Sequence, residues 1–296
     1  MREKKVVRVG SRGSVLALRQ TQEVVERLSQ LYRETQWEVV VIRTSGDRLR
    51  EDPEMVFTKG MFVKELEEAL LKGEVDLAVH SLKDLPVDLP AGLTLFAVLE
   101  REDPRDVLLS RSGLDFAALP CGAVVGTSSV RRRVQIEALR PDLEVVPLRG
   151  NVPTRVRKME AGEVDALVLA AAGLERLGEK RYIVEYFSPD MFVPAVGQGV
   201  IVVEGRENEP LEEMVRAINH RETACAVEAE RDFLRFFGGG CRVPVGALAT
   251  VENGWMRLLG MVAYGKEVKK ASLEGPLEER GSLAKSLVQL IRGRAS

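Results

Sequence analysis

Gly73-Glu74-Val75-Asp76-Leu77-Ala78-Val79 is echoed further along the chain by Gly162-Glu163-Val164-Asp165. The apolar run from Val75 to Val79 predicts a core strand, and it ends in His80-Ser81-Leu82-Lys83-Asp84-Leu85-Pro86. Polar groups thus emerge at the carboxyl end of a buried strand, the place where ligands bind in open α/β sheets. Two further echoes keep the same order: Val9-Gly10-Ser11 with Val125-Gly126-Thr127, and Glu38-Val39-Val40 with Glu144-Val145-Val146. The chain therefore reads as two similar α/β halves, with polar strand ends that predict a cleft between them. The first copy is longer partly because a charged stretch without apolar period, Arg43-Thr44-Ser45-Gly46-Asp47 and onward, follows Ile42; this predicts a long, mobile loop.

Outward from these landmarks, Val6 to Val9 reads as a strand that ends in Gly10-Ser11-Arg12-Gly13-Ser14, before a helix marked by Val24, Leu28 and Leu31. A strand, a Gly/Ser turn and a helix start create an anion-attracting point, although simple capping by serine explains the turn equally well. Lys59-Gly60 opens a helix whose face is Phe62, Leu66 and Leu70. The second half carries Thr127-Ser128-Ser129-Val130-Arg131-Arg132-Arg133, then Arg149-Gly150-Asn151, Arg155 and Arg176. Arginines placed at element ends suit planar carboxylates, whereas Arg133, Arg157 and Arg181 fit an ordinary solvated face. Pro194-Ala195-Val196-Gly197-Gln198-Gly199 leads into the apolar Val200-Ile201-Val202-Val203, a strand expected to return to the first half. The predicted domains are residues 1–99 with 200–217, residues 100–199, and an α+β unit of residues 218–296. In that last unit the expectation is a helix over 224–236, strands near 245–250, 255–264 and 266–273, and a closing helix over 283–291.

The 296 residues hold 43 Lys and Arg against 45 Asp and Glu, a net charge of −2 that offers nothing to nucleic acid or a membrane surface in general. Any cationic site must be local. Cys121, Cys225 and Cys241 form neither a disulfide framework nor a zinc motif, and with only His80 and His220 no metal centre is expected. No run approaches the roughly 18 apolar residues of a membrane span, so a cytoplasmic protein is expected. Cys241 lies in Phe237-Gly238-Gly239-Gly240-Cys241-Arg242-Val243-Pro244, where glycines leave the sulfur little cover. The loop on its own fits an inert buried thiol better than an accessible one.

Taken in order, these motifs resemble the porphobilinogen deaminase family from Val9 to about Gly246: Val9-Gly10-Ser11-Arg12, Lys59-Gly60-Met61-Phe62, His80-Ser81-Leu82-Lys83-Asp84, Gly126-Thr127-Ser128-Ser129, Leu148-Arg149-Gly150-Asn151, Pro194 to Gly199, and Gly240-Cys241-Arg242. The resemblance implies two α/β domains like periplasmic binding proteins and a smaller α+β domain. It implies a dipyrromethane cofactor held by a thioether to Cys241 and extended by four porphobilinogen units with loss of ammonia, releasing hydroxymethylbilane. Asp84 falls on the family's catalytic position, as acid, base or counter-charge to a cationic pyrrole. Each pyrrole carries an acetate and a propionate, and the matching partners are Arg12, Ser14, Lys59, Lys83, Thr127, Ser129, Arg131, Arg132, Arg149, Arg155, Arg176 and Gln198.

A different class of protein, a two-lobed binder of a small anion, accounts for the repeat and the arginines but leaves Cys241 and Asp84 without purpose. Nucleic-acid binding through Arg131-Arg132-Arg133 fails on the net charge and on 5% aromatic residues. The expected assembly is a monomer. Growth of a product chain requires a site that opens, with hinges expected near 99–102 and 196–200.

Overall fold

A computed structural model describes residues 5–45, 61–238 and 244–293. Cys241, Lys59 and most of the charged loop after Ile42 lie outside the described residues. The chain opens with β1 (Lys5–Arg12), α1 (Val15–Leu31), β2 (Thr35–Ile42), α2 (Lys64–Leu71), β3 (Leu77–Ser81), a 3-10 turn at Leu82–Asp84, and β4 (Leu93–Val98). It continues as β5 (Asp106–Ser110), β6 (Val124–Gly126), α3 (Val130–Leu139), β7 (Glu144–Val146), α4 (Val152–Glu160), β8 (Ala166–Ala170), α5 (Ala171–Arg176) and β9 (Ile183–Tyr186). β10 (Ile201–Arg206), α6 (Leu211–Arg216), α7 (Arg221–Phe236), β11 (Val245–Glu252), β12 (Trp255–Tyr264), β13 (Glu267–Pro276) and α8 (Arg280–Gly293) follow.

These elements make two five-stranded sheets, β2-β1-β3-β10-β4 and β7-β6-β8-β5-β9, and a three-stranded antiparallel sheet, β11-β12-β13. The fold is α/β with a smaller α+β portion. In both large sheets the first three strands run parallel and the next is antiparallel to its neighbours. The echoes in the sequence fall in register: Val9 faces Val39 and Leu77, and Val125 faces Val145 and Ala166.

The Gly-Glu-Val-Asp landmark has a physical role that is the same in both copies. Gly73 and Gly162 take φ of 71° and 82°, the left-handed geometry that ends a helix without a Cβ penalty. Three residues on, the Asp76 carboxylate accepts from the Arg8 backbone N–H at 2.8 Å, and Asp165 does the same for Val124 at 2.9 Å. Each aspartate therefore stitches the start of one strand to the next. Gly10 sits where an added Cβ would meet Leu66 of α2 at 3.0 Å, so that helix packs close on its sheet, and at Gly126 a Cβ would meet Leu148 and Leu167 at 3.0 Å.

The copies differ in one respect. β10 reaches the first sheet from far downstream, while its counterpart β5 precedes the repeat, so the repeated order of elements begins at β6. By contact density the chain falls into two units, residues 1–101 with 200–224, and residues 102–199 with 225–296. In the first, α1 lays Val24, Val25 and Leu28 on Val7, Val9, Leu77, Val79, Ile201 and Val203, each such side chain stabilising the fold by roughly 2 kcal/mol. In the second, Phe187 stacks on Phe192 inside one face of the sheet, while α7 and α8 cover the three-stranded sheet through Phe233, Leu287 and Ile291.

Candidate functional site

In the second unit, β7, β6 and β8 are adjacent and parallel, so their carboxyl ends meet at one edge and each runs into a helix. Helix N-termini carry unpaired N–H groups and a positive dipole end. Ser129 caps α3 by accepting from the Arg132 N–H, and the Thr127 hydroxyl oxygen accepts from the Ser129 N–H at 3.2 Å. Asn151 caps α4 through the Thr154 N–H at 2.9 Å. Gly150, with φ of 122°, makes the bend ahead of it; a Cβ there would strike Thr154 at 2.7 Å. A hydroxyl that accepts in a cap still has its own proton to donate, so Thr127 and Ser129 keep a donor for a carboxylate. Arg149 follows β7 and Arg176 ends α5, both half-buried; Arg155 Nε donates to Gly150 O at 2.8 Å, and Arg176 Nη2 to Gly199 O at 3.1 Å.

Arg131 and Arg132, in the first turn of α3, are turned into the interior. Both are buried and converge on Asp106, whose side chain is 0% exposed. Arg132 grips Oδ1 through Nε and Nη2 at 2.9 and 2.7 Å, Arg131 Nη1 lies 2.7 Å from Oδ2, and Gln198 Nε2 donates to Oδ1 at 3.0 Å. Arg131 Nη1 also donates to Val193 O and Arg132 Nη1 to Val168 O. Burial raises the Asp106 carboxyl, but the two guanidinium charges and the hydrogen bonds outweigh it and hold it at about 2. For Arg131, burial together with the like charge of Arg132 exceeds the pull of Asp106 and lowers its pKa, yet a guanidinium keeps its proton in proteins. Two arginines facing one carboxylate leave the cluster cationic and hold its forks in fixed planes.

Residues 194–199 connect this cluster to the flanks of the cysteine segment. Gln198 reaches Asp106, while next to it the Gly197 N–H donates to Glu230 of α7 at 2.7 Å. The same Glu230 carboxylate accepts from Ala249 of β11 at 2.8 Å, and the Ala247 N–H donates to Pro194 O at 3.1 Å. Gly246 has no side chain because a Cβ would meet Pro194 O at 2.7 Å. α7 and β11 are the elements on either side of residues 239–243, so both anchors of the Cys241 segment close on the strip that carries Gln198.

In the first unit β2, β1 and β3 repeat the parallel trio. Ser14 caps α1 through the Ala17 N–H at 3.2 Å, and the Arg12 guanidinium lies 4.2 Å over the Phe62 ring. β3 delivers Lys83 and Asp84 on the 3-10 turn; both are half-buried, and within the described residues the Asp84 carboxylate has no hydrogen bond or ion pair. The predicted site residues among the described ones thus lie at the ends of, or after, the strands of two parallel trios, one in each unit, apart from Gln198 on the 194–199 strip. Asp106 and Glu230 were absent from the sequence expectations. The one signal for Asp106 was an acid at the head of the apolar run Val107-Leu108-Leu109, a position that in a buried strand demands a partner.

The fold and these groups define a duplicated α/β protein whose parallel strand ends carry arginines, hydroxyls and helix N-termini. The families described as "Porphobilinogen deaminase, dipyromethane cofactor binding domain" and "Porphobilinogen deaminase, C-terminal domain" match residues 7–213 and 224–292. The chain belongs to the porphobilinogen deaminase family. It is 48% identical over 290 residues to the porphobilinogen deaminase of Carboxydothermus hydrogenoformans, covering 97% of this chain and 93% of that one. It is 49% identical over 289 residues to that of Thermus thermophilus, covering 96% and 95%. Among solved structures, a TRAP periplasmic solute binding protein from Desulfovibrio salexigens overlaps 75% of this chain and 74% of its own, with TM-score 0.45 and 11% identity, a likeness too slight to bear on function. No helix among the described residues is long and apolar enough to cross a membrane.

Proposed function

We propose that Cys241 holds the dipyrromethane through a thioether, that Asp84 is the catalytic carboxylate, and that the arginines at the strand ends take the substrate's acetates and propionates. As a member of its family the chain is a transferase of tetrapyrrole biosynthesis, a hydroxymethylbilane synthase. It joins four porphobilinogen molecules head to tail on a dipyrromethane cofactor, with loss of ammonia at each step, and releases the linear tetrapyrrole.

The donor set fits such a group. A dipyrromethane carries carboxylates on both rings, and the described strand ends supply guanidinium forks, capping hydroxyls and helix N-termini, the partners that carboxylates need. When bound, it supplies the nucleophilic pyrrole on which the chain is lengthened. Arg149, Arg155 and Arg176, with the Arg131–Arg132 pair fixed by Asp106, would hold the carboxylates and so orient the rings. Thr127, Ser129 and Ser14 would donate hydroxyl protons, and Lys59, Lys83, Arg12 and Gln198 complete the set. Asp84 would balance positive charge at a ring nitrogen, protonate the leaving amine and take up a proton afterwards. The enzyme works on porphobilinogen as a cytoplasmic monomer without nucleic acid.

The observation that carries this reading is the joining of Gln198, Asp106, Arg131 and Arg132 to Glu230, which holds both flanks of the Cys241 segment. Intact mass of the denatured protein, with peptide mapping, tests it. An addition the size of a dipyrromethane on Cys241 is expected; a bare Cys241 after incubation with porphobilinogen would refute it.

A further inference from the structure

The face of the first sheet under α2 is packed by Leu66, Ala69, Leu70, Val75, Ala78 and Leu93. Into it come two polar side chains that the chemistry above does not use. His80 of β3 and Glu204 of β10 meet there, Nε2 to Oε2 at 3.0 Å, with side chains 2% and 0% exposed. From α2 the buried Glu67 faces them; its carboxyl is pushed up by burial first and then by Glu204, with His80 opposing. A buried polar cluster of this kind gives no more stability than well-packed apolar residues would, and its best-attested use is to fix register.

Register is what this pair controls. In the ladder Val202 lies opposite His80 and Ile201 opposite Ser81. Alternation along β10 puts Glu204, two residues past Val202, on the same face as His80. A slip of one residue would turn Glu204 to the other face and break the contact. One more rung follows, Leu82 N–H to Val200 O at 3.0 Å, and then the turn that carries Asp84 begins. Ser81 is tied as well, its hydroxyl donating to Gln20 Oε1 of α1 at 2.9 Å. The strand end is thus held from both faces immediately before Asp84.

We propose that His80 and Glu204 are positioning residues for Asp84, pinning β3 on β10 and so fixing where the Asp84 turn leaves the sheet. This rests on Asp84 being the catalytic carboxylate. The test uses full-length, cofactor-loaded protein, with active sites counted by the covalent mass addition. Wild type, the double variant His80→Leu/Glu204→Leu, His80→Asn and Asp84→Asn are compared for Tm, KM and kcat per loaded site. Both His80 variants are expected to lose about tenfold or more in kcat with KM near the wild-type value, the effect of displacing a catalytic group by a fraction of an ångström. If the double variant does not fold, His80→Asn alone decides. A folded His80 variant with wild-type kcat, alongside an inactive Asp84→Asn, would overturn the positioning role and leave Asp84 in place. Full turnover by Asp84→Asn would instead sink the reading of Asp84 itself.

Discussion

The buried Glu230 carboxylate accepts a 2.7 Å hydrogen bond from the backbone N–H of Gly197, and with its other oxygen a 2.8 Å bond from Ala249. One side chain thus serves two backbone donors on separate segments. Glu230→Ala strands both N–H groups in the interior, at about 1–3 kcal/mol each. Urea unfolding should show a midpoint lowered accordingly. Intact mass should show a smaller fraction of chains carrying the cofactor, because the strip holding Gln198 and the start of β11 lose their common anchor.

Asp106 predicts a response to acid. Its carboxyl is held at about 2 in the fold, below its ordinary 3.8, so the unfolded chain binds that proton more tightly. The stability it contributes is complete above about pH 4 and is lost as the pH falls through about 2. Asp106→Asn removes this term, on the order of 2 kcal/mol, and leaves Arg131 and Arg132 facing each other without an anion. Denaturant unfolding at pH 7 and at pH 3 should show the gap between wild type and variant narrowing toward acid. An equal gap at both would mean that the fold leaves the proton affinity of this carboxylate unchanged.

Cys241 and Asp84 are expected to separate attachment from turnover. Cys241→Ala should show no mass addition and no product. Asp84→Asn, in protein that carries the addition, should lose about 10²- to 10⁴-fold in kcat. Single-turnover assays with porphobilinogen on mass-verified protein make the comparison.

Arg149 and Arg176 are predicted to act as forks and not as point charges. Arg149→Lys and Arg176→Lys keep the charge but forfeit bidentate geometry, and each should raise KM about tenfold or more, the worth of a lost hydrogen bond to a charged group. Steady-state assays in low and high salt would check it; a KM that follows charge alone would show lysine to be an adequate substitute.

The duplication was legible because its landmarks are residues with local duties. Gly73 and Gly162 must take positive φ, and Asp76 and Asp165 must catch a neighbouring strand's N–H, so both copies repeat the same letters. β4, β5 and β9 were not foreseen: they are short, and in β5 all five residues are buried, which leaves no alternation to read. α3 hid its role for the opposite reason. Its buried face holds Arg131, Arg132 and Gln135, a pattern that resembles a solvated helix until Asp106 is seen beside it. That pairing spans 26 residues, and no local spacing encodes it.

The placement of β10 between β3 and β4 has a bearing on how the protein is made. As the nascent chain leaves the ribosome, β1 to β4 emerge first, yet β3 and β4 lack the strand that joins them until residue 206 has been synthesised. The sheet of β5 to β9 is complete by residue 186, so the later-encoded half has all its strands first and the earlier-encoded half waits, its hydrogen-bonding edges exposed to chaperones or to neighbouring chains in the interval.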